Sequence, residues 1–137
     1  MIPTVFVDTD IILDLLTKRQ PFYRAAAALF SRVERGELKG CASSLAFANI
    51  FYILRKETSA AKAIAVLKKL RQLVAVLPVD DAVIGRALDA GFTDFEDAIQ
   101  YHTALAGAIG CLITRNTRDY RKPAIRVCTA EEFLASR

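Results

Sequence analysis

The sequence has no tryptophan, a single histidine (His102) and only three cysteines in 137 residues. Cys41, Cys111 and Cys128 are odd in number, far apart and set in apolar stretches. Without a CxxC or Cys/His spacing they make neither a zinc motif nor a disulfide framework, and they read as small buried thiols of a reducing cytosol. Apolar runs are short as well: none approaches the roughly 20 residues that a membrane helix needs. The N-terminus carries no basic segment ahead of an apolar core, and Asp8 comes too early for a signal peptide. A cytoplasmic protein with no membrane contact is expected. Repeats, low-complexity tracts and linkers are also missing, so one domain spanning 1–137 is expected.

What is there has an ordinary globular balance, 53% hydrophobic and 25% charged. The net charge of +4 favours an anionic partner such as nucleic acid. Short apolar runs predict strands over 4–7, 39–42, 74–79, 111–114 and 125–128. Between them, helical periodicity predicts helices over 10–17, 22–35, 59–73 and 95–108. A further helix runs from a cap at Ser43 or Ser44 to about Lys56, and another from Asp80 or Asp81 to near Gly91. The last is capped by Thr129. Strands alternating with helices predict a three-layer α/β/α sandwich on a mainly parallel sheet of about four to five strands. Ligands of such sheets lie beyond the carboxyl ends of the strands.

Acidic residues gather at those ends. In "VFVDTDIILD", Asp8, Asp10 and Asp14 crowd the passage from a buried strand to an apolar helix. Buried carboxylates repel one another, so such a cluster calls for a cation or a task. Asp10 also reads as a helix cap and Asp14 as a solvent-exposed side chain. In "TDFEDAIQYH", Thr93 is placed to cap a helix with Asp94 and Asp97 on one face, and Asp97 and Tyr101 four apart. An ordinary acidic helix N-terminus is the plain alternative. The segment "LITRNTRDY" ends a strand in Thr114, Arg115, Asn116, Thr117, Arg118 and Asp119.

These three segments, in this order and with an apolar helix after a strand-plus-Ser turn between the first two, resemble the PIN domain of the VapC-type toxin ribonucleases. The resemblance runs from Thr4 to Phe133. It implies a metal-dependent endoribonuclease in which carboxylates hold Mg²⁺ or Mn²⁺. By motif position Asp8 and Asp97 match the family's metal acids, with Asp94 and Asp119 as supporting acids and Asp10 lining the site. The family's glutamate in the third helix is matched by Asn49, and its acid after "ITR" by Asn116. Asn49 offers a carbonyl oxygen but no charge, which bears on metal affinity and on a second metal. A toxin further implies RNA as substrate, a cognate antitoxin as partner and a homodimer.

Arg115, Arg118, Arg121, Lys122 and Arg126 fall beside the acidic edge, with Arg55, Lys56 and Lys62 as a looser set. Arg115 and Arg118 are the expected RNA-backbone contacts. His102, five residues past Asp97, lies off the acidic face and is not expected to catalyse. Tyr23, Tyr52, Tyr101 and Tyr120 could stack on bases, although packing is their ordinary use. Two other readings remain. "VFVDTDIIL" resembles the start of haloacid-dehalogenase-type phosphatases, with Asp8 as nucleophile and Asp10 as acid. Alternatively Asn49 and Asn116 mark a PIN-like domain that binds RNA or protein with an inactive metal site.

Overall fold

The computed structural model describes residues 2–120 and 123–136. Arg121 and Lys122 of the basic set lie outside the described residues. The chain runs β1 (Thr4–Val7), α1 (Thr9–Leu16), α2 (Tyr23–Glu34), β2 (Lys39–Ser43), α3 (Ser44–Glu57), α4 (Ala60–Leu73), β3 (Ala75–Leu77), α5 (Asp81–Asp89), α6 (Phe95–Ala106), β4 (Cys111–Ile113), a 3-10 turn (Thr117–Asp119), β5 (Arg126–Cys128) and α7 (Ala130–Ala135). The five strands form one sheet in the order β3-β2-β1-β4-β5, and every pair is parallel. β1 is therefore central, which is why Val5, Phe6 and Val7 are apolar without alternation and fully buried.

The alternation of side chains across the pleat assigns the layers. Val5, Val7, Ala42, Ile113 and Cys128 face one core, packed with residues of α1, α2, α3, α4 and α7. Phe6, Cys41 and Leu112 face the other, with Tyr101 and Ala104 of α6. Val83 and Ala87 of α5 pack on Ala98 and Ile99 of α6 at that same side. Helices on both faces of a parallel sheet make the three-layer sandwich expected. Cys111 and Cys128 on neighbouring strands are buried free thiols with sulfurs 4.0 Å apart. Among the described residues no helix is long and apolar enough to cross a membrane.

Two caps differ from expectation, and both differences build the site. Helix α1 is capped by Asp8, whose side chain accepts from the Thr9 N–H, so Asp10 falls inside the first turn. Asp8 is still extended backbone (φ −69°, ψ 156°), and its N–H donates to the Ile113 carbonyl at 2.9 Å. A residue that closes the strand ladder and opens the helix cannot sit two residues later. Helix α6 is capped by Asp94, not Thr93: its Oδ1 accepts from the N–H groups of Glu96 (2.9 Å) and Asp97 (3.2 Å). Ser43 caps α3 through the Ala46 N–H at 3.1 Å. Strand β3 is shorter than predicted, because Pro78 has no N–H to extend the ladder.

Candidate active site

Asp8 sits at the carboxyl end of the central strand, beneath the N-terminus of α6. It is 5% exposed. Its Oδ1 accepts from the Thr9 N–H (2.7 Å) and from Gln100 Nε2 (3.1 Å), and its Oδ2 accepts from Thr114 Oγ1 (2.8 Å). Gln100 also donates to Thr9 Oγ1 at 3.0 Å. Three elements thus hold one carboxylate in one orientation. Burial pushes Asp8 above the usual carboxylate range, while Thr114, Gln100 and Thr9 pull the other way and Asp94 adds repulsion.

Asp97, in the first turn of α6, is 8% exposed, and its Oδ2 has no hydrogen-bond partner. Burial first, then Asp8, Asp94 and Asp119, push it up to about 7. Glu96 is raised by burial and by Asp8, with the Asn49 amide pulling the other way. Asp10 is likewise pushed up to about 7 by burial and then by Asp8, with Arg115 opposing. Its Oδ1 is buried without a partner. Asp8, Thr9, Asp10, Leu13, Asn49, Tyr52, Ile53, Asp94, Glu96, Asp97 and Asn116 line one cleft of about 440 Å³.

Most of the expected residues therefore meet. Asp8, Asp10, Asp94, Asp97, Asn49 and Asn116 line the cleft, and Asp119 reaches Asp97 from the exposed 3-10 turn. The Asn116 N–H donates to Thr114 Oγ1 at 3.3 Å, so Thr114 places both Asp8 and the chain that carries Asn116. Exposed Arg118 lies beside Asp119 on a smaller neighbouring depression with Phe92 and Thr93. Arg115 turns inward. Its Nε is 3.1 Å from Asp14 Oδ2 and 4.0 Å from Asp10 Oδ2, and its guanidinium carbon lies 4.2 Å from the centre of the Phe22 ring.

Asp14 is a correction: expected in solvent, it is wholly buried. Three residues on from Ile11, it shares that residue's inward face, and Arg115 meets it there. Tyr101 is buried in the second core, and its hydroxyl accepts from the Ala124 N–H at 2.7 Å. His102 lies against Phe92 and Tyr101, outside the cleft. Sequence reasoning missed Glu96 and Gln100, and it did not separate Tyr52 from the other three tyrosines. Gln100 had a signal, since a lone amide in a small-residue helix must find buried partners. Glu96 had none: helical spacing from Asp94 and Asp97 turns it toward α3, and only the approach of α3 makes it a site residue.

A hard cation fits this donor set. The donors are oxygens, two of them buried and unpartnered, and the acids are held above their usual range first by burial and then by one another's charge, both of which a cation would offset. Among the described residues no three His, Cys, Asp or Glu side chains are grouped tightly enough to hold a metal alone. Mg²⁺ does not require that, because it keeps several waters and takes one or two carboxylates.

A parallel α/β sandwich with a carboxylate cleft at its strand ends defines a class, and comparison with known proteins gives the family. The PIN domain model matches residues 4–118, and the chain belongs to the PIN domain family. Among curated proteins none matches closely enough to count as a relative. Solved structures share the fold. VapBC-1 from nontypeable Haemophilus influenzae aligns with a TM-score of 0.70 at 18% identity, over 93% of this chain and 98% of that one. A toxin-antitoxin complex from Klebsiella pneumoniae gives 0.69 at 22%, over 92% and 97%. VapC20 from Mycobacterium tuberculosis, a sarcin-ricin loop cleaving toxin, gives 0.63 at 18%, over 79% and 86%. Family membership leaves no place for the phosphatase reading.

Proposed function

We propose that the protein is a metal-dependent endoribonuclease, the toxin of a toxin-antitoxin pair, with RNA as substrate, a small antitoxin protein as partner and a homodimer as its assembly. PIN domains are generally nucleases, and the structural neighbours include two toxin-antitoxin complexes and an RNA-cleaving toxin. The observation that carries the reading is the convergence of Asp8 and Asp97 from distant parts of the chain, with Asp97 Oδ2 unpartnered in the cleft.

Asp8 and Asp97 would hold Mg²⁺ or Mn²⁺. When bound there, the cation supplies Lewis acidity: it offsets charge on the phosphate oxygens and makes water a better nucleophile. The chain's own residues do the rest. Thr114, Gln100 and the Thr9 N–H orient Asp8 so that it need not reorganise during reaction. Asp94 spends an oxygen on the helix cap and is a supporting acid. Asp119, beside Asp97, is a second one. Arg118 is free to meet an RNA phosphate, and Arg115, held by Asp14, contributes its charge to the rim.

Asn49 shapes the second reading, an RNA- or protein-binding domain with an inactive site. It brings no charge from α3, yet Glu96 of α6 lines the same cleft. The cleft thus has a glutamate that enters from the other wall, and that favours the active reading. The deciding experiment is calorimetric titration with Mg²⁺ and Mn²⁺ beside cleavage of structured RNA, with Asp8→Asn and Asp97→Asn as controls. Saturable binding and metal-dependent cleavage, both lost in folded variants, are expected. A variant that cleaves at the parental rate removes its residue from the site. Absence of both binding and cleavage in the parent leaves the binding-domain reading.

A further inference from the structure

We propose that Tyr52, braced by Arg55, is the base-binding wall of the cleft: it stacks on an unpaired nucleobase of single-stranded RNA and so selects the nucleotide that lies beside the carboxylates. The proposal rests on the ribonuclease reading and adds to it a specificity-determining residue.

The four tyrosines have different fates. Tyr101 and Tyr120 are buried, and Tyr23 is half-buried on α2 near Pro21 and Arg24. Tyr52 lines the acidic cleft and is 56% exposed. Core packing does not account for a ring so placed. Its position follows from helical spacing: Asn49, Tyr52 and Ile53 are three and four residues apart, and all three line the cleft. The same spacing brings Arg55 under the aromatic pair. Its guanidinium carbon is 5.4 Å from the Tyr52 ring centre and 5.9 Å from that of Phe51. Phe51 meets Tyr52 edge to face, with centres 5.3 Å apart at 77°. A ring held by two neighbours has little rotational freedom left to lose on binding.

The chemistry of the wall matches a nucleotide. A cleft lined by carboxylates repels a polyanion, so RNA must be drawn in by surfaces at its margin. An aromatic face accepts any base by stacking, and an adjacent guanidinium offers a charge to the phosphate of the same nucleotide. Arg55 and its neighbour Lys56 are both exposed. Tyr52 and Asp97 line the same cleft, so a base stacked on Tyr52 would bring its own phosphate toward the acids.

The test uses the full chain, a short single-stranded RNA carrying 2-aminopurine and steady-state cleavage of unlabelled RNA. Tyr52→Ala is expected to raise KM about tenfold or more, with kcat moved far less, and, in the cleavage-deficient Asp8→Asn background, to abolish the 2-aminopurine quenching expected there. Tyr52→Phe keeps the ring and is expected to restore both KM and quenching, and an unchanged melting curve separates lost stacking from lost fold. A Tyr52→Ala protein with parental KM and parental quenching overturns the proposal while the ribonuclease reading stands. A parental protein that neither cleaves nor binds RNA overturns that reading, and this one with it.

Discussion

At the scale of single residues, the acids of the cleft differ by what holds them. Asp8 is satisfied on both oxygens, Asp97 leaves its buried Oδ2 unpartnered, and Asp14, behind the cleft, is paired with Arg115. The Asp14–Arg115 pair is 3.1 Å long at an angle too poor for a hydrogen bond, in a pocket closed by Phe22. Burial raises Asp14 above the usual range, with Arg115 pulling it back. Removing one partner of a buried pair leaves the other uncompensated. Arg115 keeps some access to water (29% exposed), which moderates the loss. Asp14→Ala should lower unfolding free energy by about 2 kcal/mol in urea titration. A loss below about 0.5 kcal/mol would mean that Arg115 finds water as good a partner.

At the scale of elements, the site is a meeting of caps. Asp8 caps α1, Ser43 caps α3 and Asp94 caps α6, and each cap lies at the strand edge where the cleft opens. A cap residue fixes where its helix starts, and therefore which side chains of the first turns face the site. Ser43 is wholly buried, so its hydroxyl is the partner for an Ala46 N–H that water does not reach. Ser43→Ala should cost about 1–2 kcal/mol of stability. Because α3 carries Asn49 and Tyr52, RNA affinity should fall in the same variant. A stability loss with binding untouched would show that α3 is held in place by its packing alone.

At the scale of the molecule, the protein is basic overall, with an acidic cleft in its sheet edge. Asp10 and Asp97 are both lifted from an ordinary 3.8 to about 7. The folded state then binds protons more tightly than the unfolded chain, so their contribution is fully present below about pH 4 and is lost as pH rises through 7. The metal-free protein should melt at a lower temperature at pH 8 than at pH 5.5. It should do so in one transition if 1–137 folds as one domain. Mg²⁺, which competes with those protons, should raise the melting temperature more at pH 8 than at pH 5.5. Equal shifts at the two pH values would argue that the ion binds elsewhere.

The order of strands and helices was legible in the sequence because apolar period is a local property: β1 must be buried on both faces, and α6 must pack closely, whatever else the chain does. Asp8 was legible for a similar reason, since an acid beside a buried strand is costly unless used; Asp97, at a helix start where acids are ordinarily favoured, was marked out by the family resemblance. Which neighbours share the cleft was decided only by tertiary structure. Glu96 and Tyr52 are ordinary surface residues of their own helices until α3 and α6 face each other across the end of β1. Asp14 looked like one more exposed acid, because its partner Arg115 is about a hundred residues away in sequence and meets it only when β4 lies beside β1. Local patterns carry a residue's cost of burial; the partner that offsets the cost comes from the fold.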